Sequence, residues 1–268
     1  NNWFMMYFLS VVLIGTVYPI FLDVISSQKI SVGPPFYHKL LIPFLIPFLL
    51  MMAIGPKLKW IKSHLDDKLY LILLFIFSIL LAFVILKNFN QNILINTILI
   101  SSALYLFFVT LRDFFIKKYN KISQNVAHFG FSLLILSILF NNLFSSEIIT
   151  NLKVGETFEN SETKIVFESI NQKNEKNYNS IVANFNVKSS NGEEDILSPE
   201  LRIYNQPVVA TSEADIKTTL MSDKFIVINI VQNQDFFNVR YQVKPFMMWI
   251  WLSVILISIG GVISFYKK

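Results

Sequence analysis

Six long apolar runs constrain this chain more than any other feature of its sequence. They span Trp3 to Ile25, Leu40 to Ile54, Leu69 to Leu86, Ile93 to Leu111, Val126 to Phe144 and Phe246 to Tyr266. Crossing a hydrocarbon layer of about 30 Å takes roughly 20 helical residues. Five runs reach or approach that length, and the second does so by taking in Tyr37 to Lys39. The fold class read from this pattern is an α-helical polytopic membrane protein with about six transmembrane helices. Only 15% of the residues are charged against 53% hydrophobic, too few to cover a soluble globule and too apolar a mix for disorder. The first run has no basic stretch before it and no small-residue cleavage site after it, so it reads as a helix and not as a removable leader.

Charge orders the segments. Lys57, Lys59, Lys62 and Lys68 follow the second run, Arg112, Lys117, Lys118 and Lys121 follow the fourth, and Lys267 and Lys268 end the chain. Lys29, Lys39 and Lys87 occupy the alternate loops. Basic loops stay on the inner side, which places both termini inside and the segment after the fifth helix outside. The division expected is a membrane domain of five helices over 1–146, an outer domain over 147–245, and a sixth helix over 246–268. The outer segment holds 10 basic and 14 acidic residues, a balance of −4, while the rest holds 13 and 4, a balance of +9. The net +5 is therefore topological and faces anionic lipid. No basic stripe is left over for nucleic acid.

The outer segment is expected to be β-rich. Lys164–Ile170, Ser180–Lys188, Leu201–Tyr204, Phe225–Val231 and Phe236–Val243 read as strands, and Ile181 to Val187 alternates. Asn191-Gly192 is a turn signal. Ser212 to Leu220 reads as a short helix capped by Ser212, and Asn171 to Asn179 as a polar, mobile loop.

Few residues bear chemistry. The chain has no Cys, which excludes disulfides, thiolate zinc sites, iron–sulfur clusters and a C-x-x-C-H haem attachment within it. Of three histidines, His64 falls in a basic inner loop and reads as solvated, and His38 lies at the outer end of the second helix. His128 begins the fifth apolar run, in Asn125-Val-Ala-His-Phe-Gly130. An ionisable group inside a membrane helix is costly and marks function by default. An imidazole there suits iron, and Gly130 and Ser132 nearby would let a flat macrocycle approach the backbone. A helix-end histidine hydrogen-bonded at the interface or to a neighbouring helix accounts for the same residue, and the residues alone leave both readings open. His38 and His128 are about a membrane thickness apart and cannot share one metal. Pro19, Pro43 and Pro47 each remove a backbone N–H, consistent with packed kinks or with the broken helices of a transporter. Gly33-Pro34-Pro35 reads as a stiff extended loop. Trp249 and Trp251 suit an interface belt, and Gly260-Gly261 suits close helix packing. No nucleophile triad, carboxylate pair or phosphate loop is present.

Taken together, several blocks resemble the second half of the cytochrome c maturation protein F (CcmF) family. They are Gly15-Thr-Val-Tyr-Pro19, Lys29 to Tyr37, Leu41 to Pro47, Gly55-Pro56, Ala127-His128-Phe-Gly130, Pro199 to Tyr204, Thr211 to Ile216, Val243 to Leu252 and Gly260-Gly261. They occur in family order across nearly the whole chain. The resemblance implies c-type cytochrome biogenesis: haem passes from the haem chaperone CcmE, with a CcmH-type subunit, to apocytochrome c. It also implies a haem b held between two transmembrane histidines and reduced by quinol. His128 matches the second of those histidines, so the resemblance makes it the haem-iron axial ligand contributed by this chain.

Departures from the family matter. Its Trp-rich haem segment, its external histidines and its first transmembrane histidine fall upstream of the matching blocks, and His38 stands where the family has Asn. The chain therefore reads as the C-terminal part of a haem lyase, a fragment or one subunit of a split protein, inactive without the N-terminal half. A bacterial inner membrane or a mitochondrial inner membrane fits the Asn-, Ile-, Lys- and Phe-rich composition. The residues taken without the resemblance also allow a cofactor-free assembly scaffold or half of a transporter.

Overall fold

The computed structural model describes residues 2–26, 30–58, 67–87, 89, 93–116, 122–190, 192–231 and 234–266. His64, Lys29, Lys59, Lys62, Lys117, Lys118, Lys121, Asn191, Lys267 and Lys268 lie outside them. Among the described residues, six helices are long and apolar enough to span a membrane: α1 (Asn2–Ser26), α2 (Pro34–Ile54, continued by a 3-10 turn Gly55–Lys57), α3 (Lys68–Leu86), α4 (Ile93–Ile116), α5 (Ile122–Phe144) and α6 (Met247–Tyr266). Between α5 and α6 come ten strands. The chain divides into two compact units, one of residues 1–136 with 252–268 and one of residues 137–251.

In the first unit α4 is the central helix, with 56% of its apolar window buried against 11% for α1 and for α6. Phenylalanine does much of the packing. Tyr7 and Phe44 join α1 to α2 at 4.2 Å between ring centroids, Phe75 and Tyr105 join α3 to α4 at 5.3 Å, and Phe48 and Phe131 join α2 to α5 at 5.8 Å. A lipid environment gives no hydrophobic drive between helices, so such dispersion contacts and close backbone approach carry the association. Gly15 is one such approach: a Cβ there would lie 2.7 Å from the Tyr37 hydroxyl oxygen.

One expectation for α2 needs correction. Gly33-Pro34-Pro35 is not a stiff loop, because both prolines stand in the first turn of α2 behind an extended Gly33. The first turn has no carbonyl for its N–H groups, so proline loses nothing there. Helix α2 also runs unbroken through Pro43 and Pro47, so it has no unwound segment of the kind that lines transporter sites.

The second unit is a β-sandwich, entirely antiparallel. One sheet has the order β1-β10-β9-β8 and the other β2-β3-β4-β6-β7, with β5 also on β4. The strands are β1 (Ser146–Leu152), β2 (Thr157–Glu159), β3 (Thr163–Asn174), β4 (Tyr178–Ser189), β5 (Glu194–Leu197), β6 (Glu200–Asn205), β7 (Val208–Glu213), β8 (Asp215–Thr218), β9 (Ser222–Ile230) and β10 (Phe237–Pro245). Inward positions of both sheets form the core, where Phe167 and Phe185 stack at 4.4 Å among Ile165, Val187, Ile226, Ile228 and Val239. All five strands expected from alternation are present. The other five were not foreseen, since they are short or carry polar outward faces.

Ser212 to Leu220 is not a helix. Its residues form β7 and β8, pairing Leu201 with Ser212 and Asp215 with Ile226. Ladder bonds to β6 and β9 satisfy the backbone better than one isolated helical turn, and the Ser212 hydroxyl donates to Asn229 Oδ1 at 2.6 Å instead of capping. Asn171 to Asn179 is not a loop either. It is the tip of the β3–β4 hairpin, where Glu175 N–H donates to the Tyr178 carbonyl at 2.9 Å. A hairpin tip exposed on both faces needs no apolar side chains, so composition hid it.

Gly155 occupies the β1–β2 turn at φ 86°, and its N–H donates to the Phe167 carbonyl at 2.7 Å. A Cβ there would meet nothing within 4 Å, so only backbone conformation opposes a side chain. Gly155→Ala is expected to cost about 1–2 kcal/mol, read from thermal unfolding of the protein in detergent. A neutral substitution would refute the assignment.

Candidate functional site

His128 is the seventh residue of α5, which starts at Ile122 and not at Val126 as the apolar run suggests. Its ring thus lies about 9 Å along the axis from the helix start. The polar Ile122–Asn125 turn is nevertheless helical because its side chains find partners on α4. Asn125, only 3% exposed, donates Nδ2 to the Asp113 carbonyl at 2.9 Å. One heptad on, the Ser132 and Thr110 hydroxyls share a hydrogen bond at 3.1 Å. Between them Phe129 rests against Phe107 and Phe114, with centroids 5.5 and 6.4 Å away.

Small residues near His128 play a different part from the one anticipated. Gly130 is two residues away, which is about 200° round the helix, so it faces away from the imidazole. The space a Cβ would take at Gly130 is filled by α6: Ile257 N would be 2.9 Å off. Gly260 answers it, with Ala127 N 2.7 Å from its own Cβ position, whereas Gly261 has nothing within 4 Å. Gly130 and Gly260 therefore lock α5 to α6 and open no slot for a macrocycle. Ser132 shares the His128 face, but its hydroxyl donates to the Phe129 carbonyl and lies within hydrogen-bond distance of the Thr110 hydroxyl.

His128 itself is half-buried and makes no hydrogen bond among the described residues. His38 is exposed in the second turn of α2. Helix α2 carries Lys57 at its far end, about 30 Å away by helical rise, so the two histidines are kept apart. No cluster of three His, Asp or Glu able to hold a metal occurs among the described residues.

The ends of α2 and α4 on the His128 side carry basic residues that the charge pattern assigns to lipid, each paired with an acid. Lys57 is 8% exposed and its ammonium bonds both carboxylate oxygens of Asp113, itself 8% exposed. Arg112 pairs with Asp67 at 2.8 Å and lies over the Tyr70 ring at 3.9 Å. Asp113 is within electrostatic reach of His128. Asp113 was missed because the apolar run was ended at Leu111. An acid two residues past that end, inside a helix that continues to Ile116, was the available signal.

Residues 143–245 match the family model described as the CcmF C-terminal beta-sandwich. Cytochrome c-type biogenesis protein CcmF of Haemophilus influenzae is 25% identical over 100% of this chain and 44% of its own length. The proteins of the same name from Pseudomonas fluorescens and Escherichia coli are 26% and 23% identical, over 98% and 99% of the chain and 42% of their own lengths. A solved structure of cytochrome c haem lyase CcmF superposes with a TM-score of 0.70 at 21% identity, covering 97% of this chain and 44% of that one. The chain spans less than half the length of these relatives. The resemblance to the C-terminal half of CcmF holds along the chain, in the helices as well as in the sandwich.

Proposed function

We propose that this chain, which corresponds to the C-terminal part of CcmF, serves c-type cytochrome biogenesis as part of a haem lyase, with His128 as one axial ligand of a relay haem b. The observation that carries the reading is the likeness of the whole chain to proteins named for cytochrome c-type biogenesis. Its residues fit the group at one axial position: an imidazole inside a membrane helix, half-buried, with no hydrogen bond among the described residues. Imidazole is a good iron ligand. Among the described residues no second histidine stands beside it, so a partner ligand would come from the upstream half of the protein, as the resemblance implies. When bound, such a haem carries single electrons, here from quinol.

What this chain's residues do is hold and orient. Helix α5 presents His128, α4 and α6 fix α5, and the outer sandwich, at −4, presents an acidic surface. That surface is suited to steering a basic partner such as apocytochrome c, or to docking the haem chaperone CcmE or a CcmH-type subunit. The site of action is a bacterial inner membrane or its mitochondrial counterpart, and the chain is inactive without its N-terminal half.

The test is co-expression with the upstream half. His128→Ala is expected to abolish the b-type absorbance of the purified complex and to stop accumulation of c-type cytochromes. Unchanged absorbance would remove His128 from the ligand set.

A further inference from the structure

The rotation of α5 is fixed by side chains that take no part in ligation. At about 100° per residue, Asn125, Phe129 and Ser132 form one stripe of α5. Ala127 and Gly130 form another on the far side. His128 stands between, nearer the first. Both stripes are engaged: the first by Asp113, Phe107, Phe114 and Thr110 of α4, the second by Ile257 and Gly260 of α6. The Asn125 clamp is costly, since its Oδ1 is buried with no partner among the described residues. Its anchor is itself anchored, because the Asp113 carboxylate is bound by Lys57.

We infer that Asn125 and the Thr110–Ser132 pair are positioning residues for His128, two polar clamps one heptad apart that set the direction of its imidazole. This rests on the reading of His128 as a haem ligand. Apolar helix faces in lipid slide and rotate at little cost, whereas polar pairs fix register. Turning α5 by about 20° would carry a side-chain tip, about 5–6 Å from the axis, through about 2 Å. Metal–ligand distances tolerate only about 0.2 Å. Packing of Phe129 alone leaves such a rotation open; two directional bonds do not.

The experiment uses the chain co-expressed and purified with its upstream half. Thr110→Val and Asn125→Leu remove the bonds at nearly constant volume, and Ser132→Ala removes one hydroxyl. Thr110→Ser and Ser132→Thr keep the hydroxyls. In the first group the b-type absorbance is expected to survive. Transfer of haem to apomyoglobin should quicken about tenfold, the low end of what removing an orienting group does to metal affinity. The low-spin electron paramagnetic resonance signal should split into more than one species. In the second group both should match the parent. Unchanged transfer and a single signal in Thr110→Val and Asn125→Leu would overturn the inference. So would equal impairment in the hydroxyl-keeping variants, which marks packing and not direction. Absorbance that persists in His128→Ala overturns the ligand reading, whereas its loss there with silent clamp variants removes only the positioning role.

Discussion

Asp195→Ala is expected to destabilise the β-sandwich by about 3–5 kcal/mol, the usual cost of breaking a buried ion pair from one side. Asp195 is 3% exposed and points into the core from β5, between the two sheets. It accepts from Lys224 of β9 at 2.8 Å and from Lys217 of β8 at 2.5 Å, and Lys224 also reaches Glu193 at 2.8 Å. Lys224 is 7% exposed, so removing Asp195 leaves a buried ammonium held only by the more exposed Glu193. Thermal unfolding of the detergent-solubilised chain is the measurement, and a loss under about 1 kcal/mol, the value of an exposed pair, would show that water reaches the site.

The same cluster gives a pH dependence. Burial by itself raises the Asp195 carboxyl, but the bonds from Lys217 and Lys224 outweigh it and hold the group below its ordinary value. Burial lowers the Lys224 ammonium, and its bonds to Asp195 and Glu193 outweigh that too, leaving it raised. A depressed carboxyl stabilises above its unfolded pKa of about 4, and that stability is lost as pH falls through the folded value. A raised ammonium stabilises below its unfolded pKa of about 10.4, and that stability is lost as pH rises through the folded value. The cluster is thus fully effective between those limits. Asp195→Asn is expected to flatten the acid limb of the stability curve while leaving most of the volume filled. An acid limb of unchanged slope would assign acid sensitivity to other carboxylates.

Gly260→Val should displace α6 from α5, at a cost of about 1–3 kcal/mol or more for an overpacked contact. The new Cβ would stand 2.7 Å from the Ala127 backbone nitrogen, and a helix backbone cannot yield as a side-chain tip can. Gly261→Val is the control on the next residue: its Cβ meets nothing within 4 Å. Thermal stability in detergent is expected to fall for the first variant and to stay within about 0.5 kcal/mol for the second, the range for changes that touch no special feature. Equal effects would mean that α6 does not pack on α5 through this glycine.

His128 was legible in the sequence because a histidine in an apolar run is conspicuous, and the CcmF resemblance supplied its proposed role. Its surroundings were not. Lys57 reads as a topogenic lysine, Asp113 falls beyond a run that ends at Leu111, Asn125 lies before the run that begins at Val126, and Ser132 reads as a small residue. Each carries meaning only through a partner on another helix, and single-chain periodicity does not name partners. The glycines show the same limit, since adjacent Gly260 and Gly261 look alike in sequence but only one is packed.

Determined by the sequence alone were the number and rough positions of the membrane helices, the β character of the outer segment and the strands with clear alternation. These follow from burial against lipid or a core, which acts residue by residue on one segment at a time. Tertiary structure alone decided that Ser212 to Thr218 is paired strand, that Pro34 and Pro35 start a helix, and that Lys57 is neutralised by Asp113. For the strands and for Lys57 the free energy comes from groups distant in the chain: ladder bonds to β6 and β9, and a carboxylate on another helix. Local propensity is worth tenths of a kcal/mol per residue, so those distant bonds prevail wherever the fold supplies them.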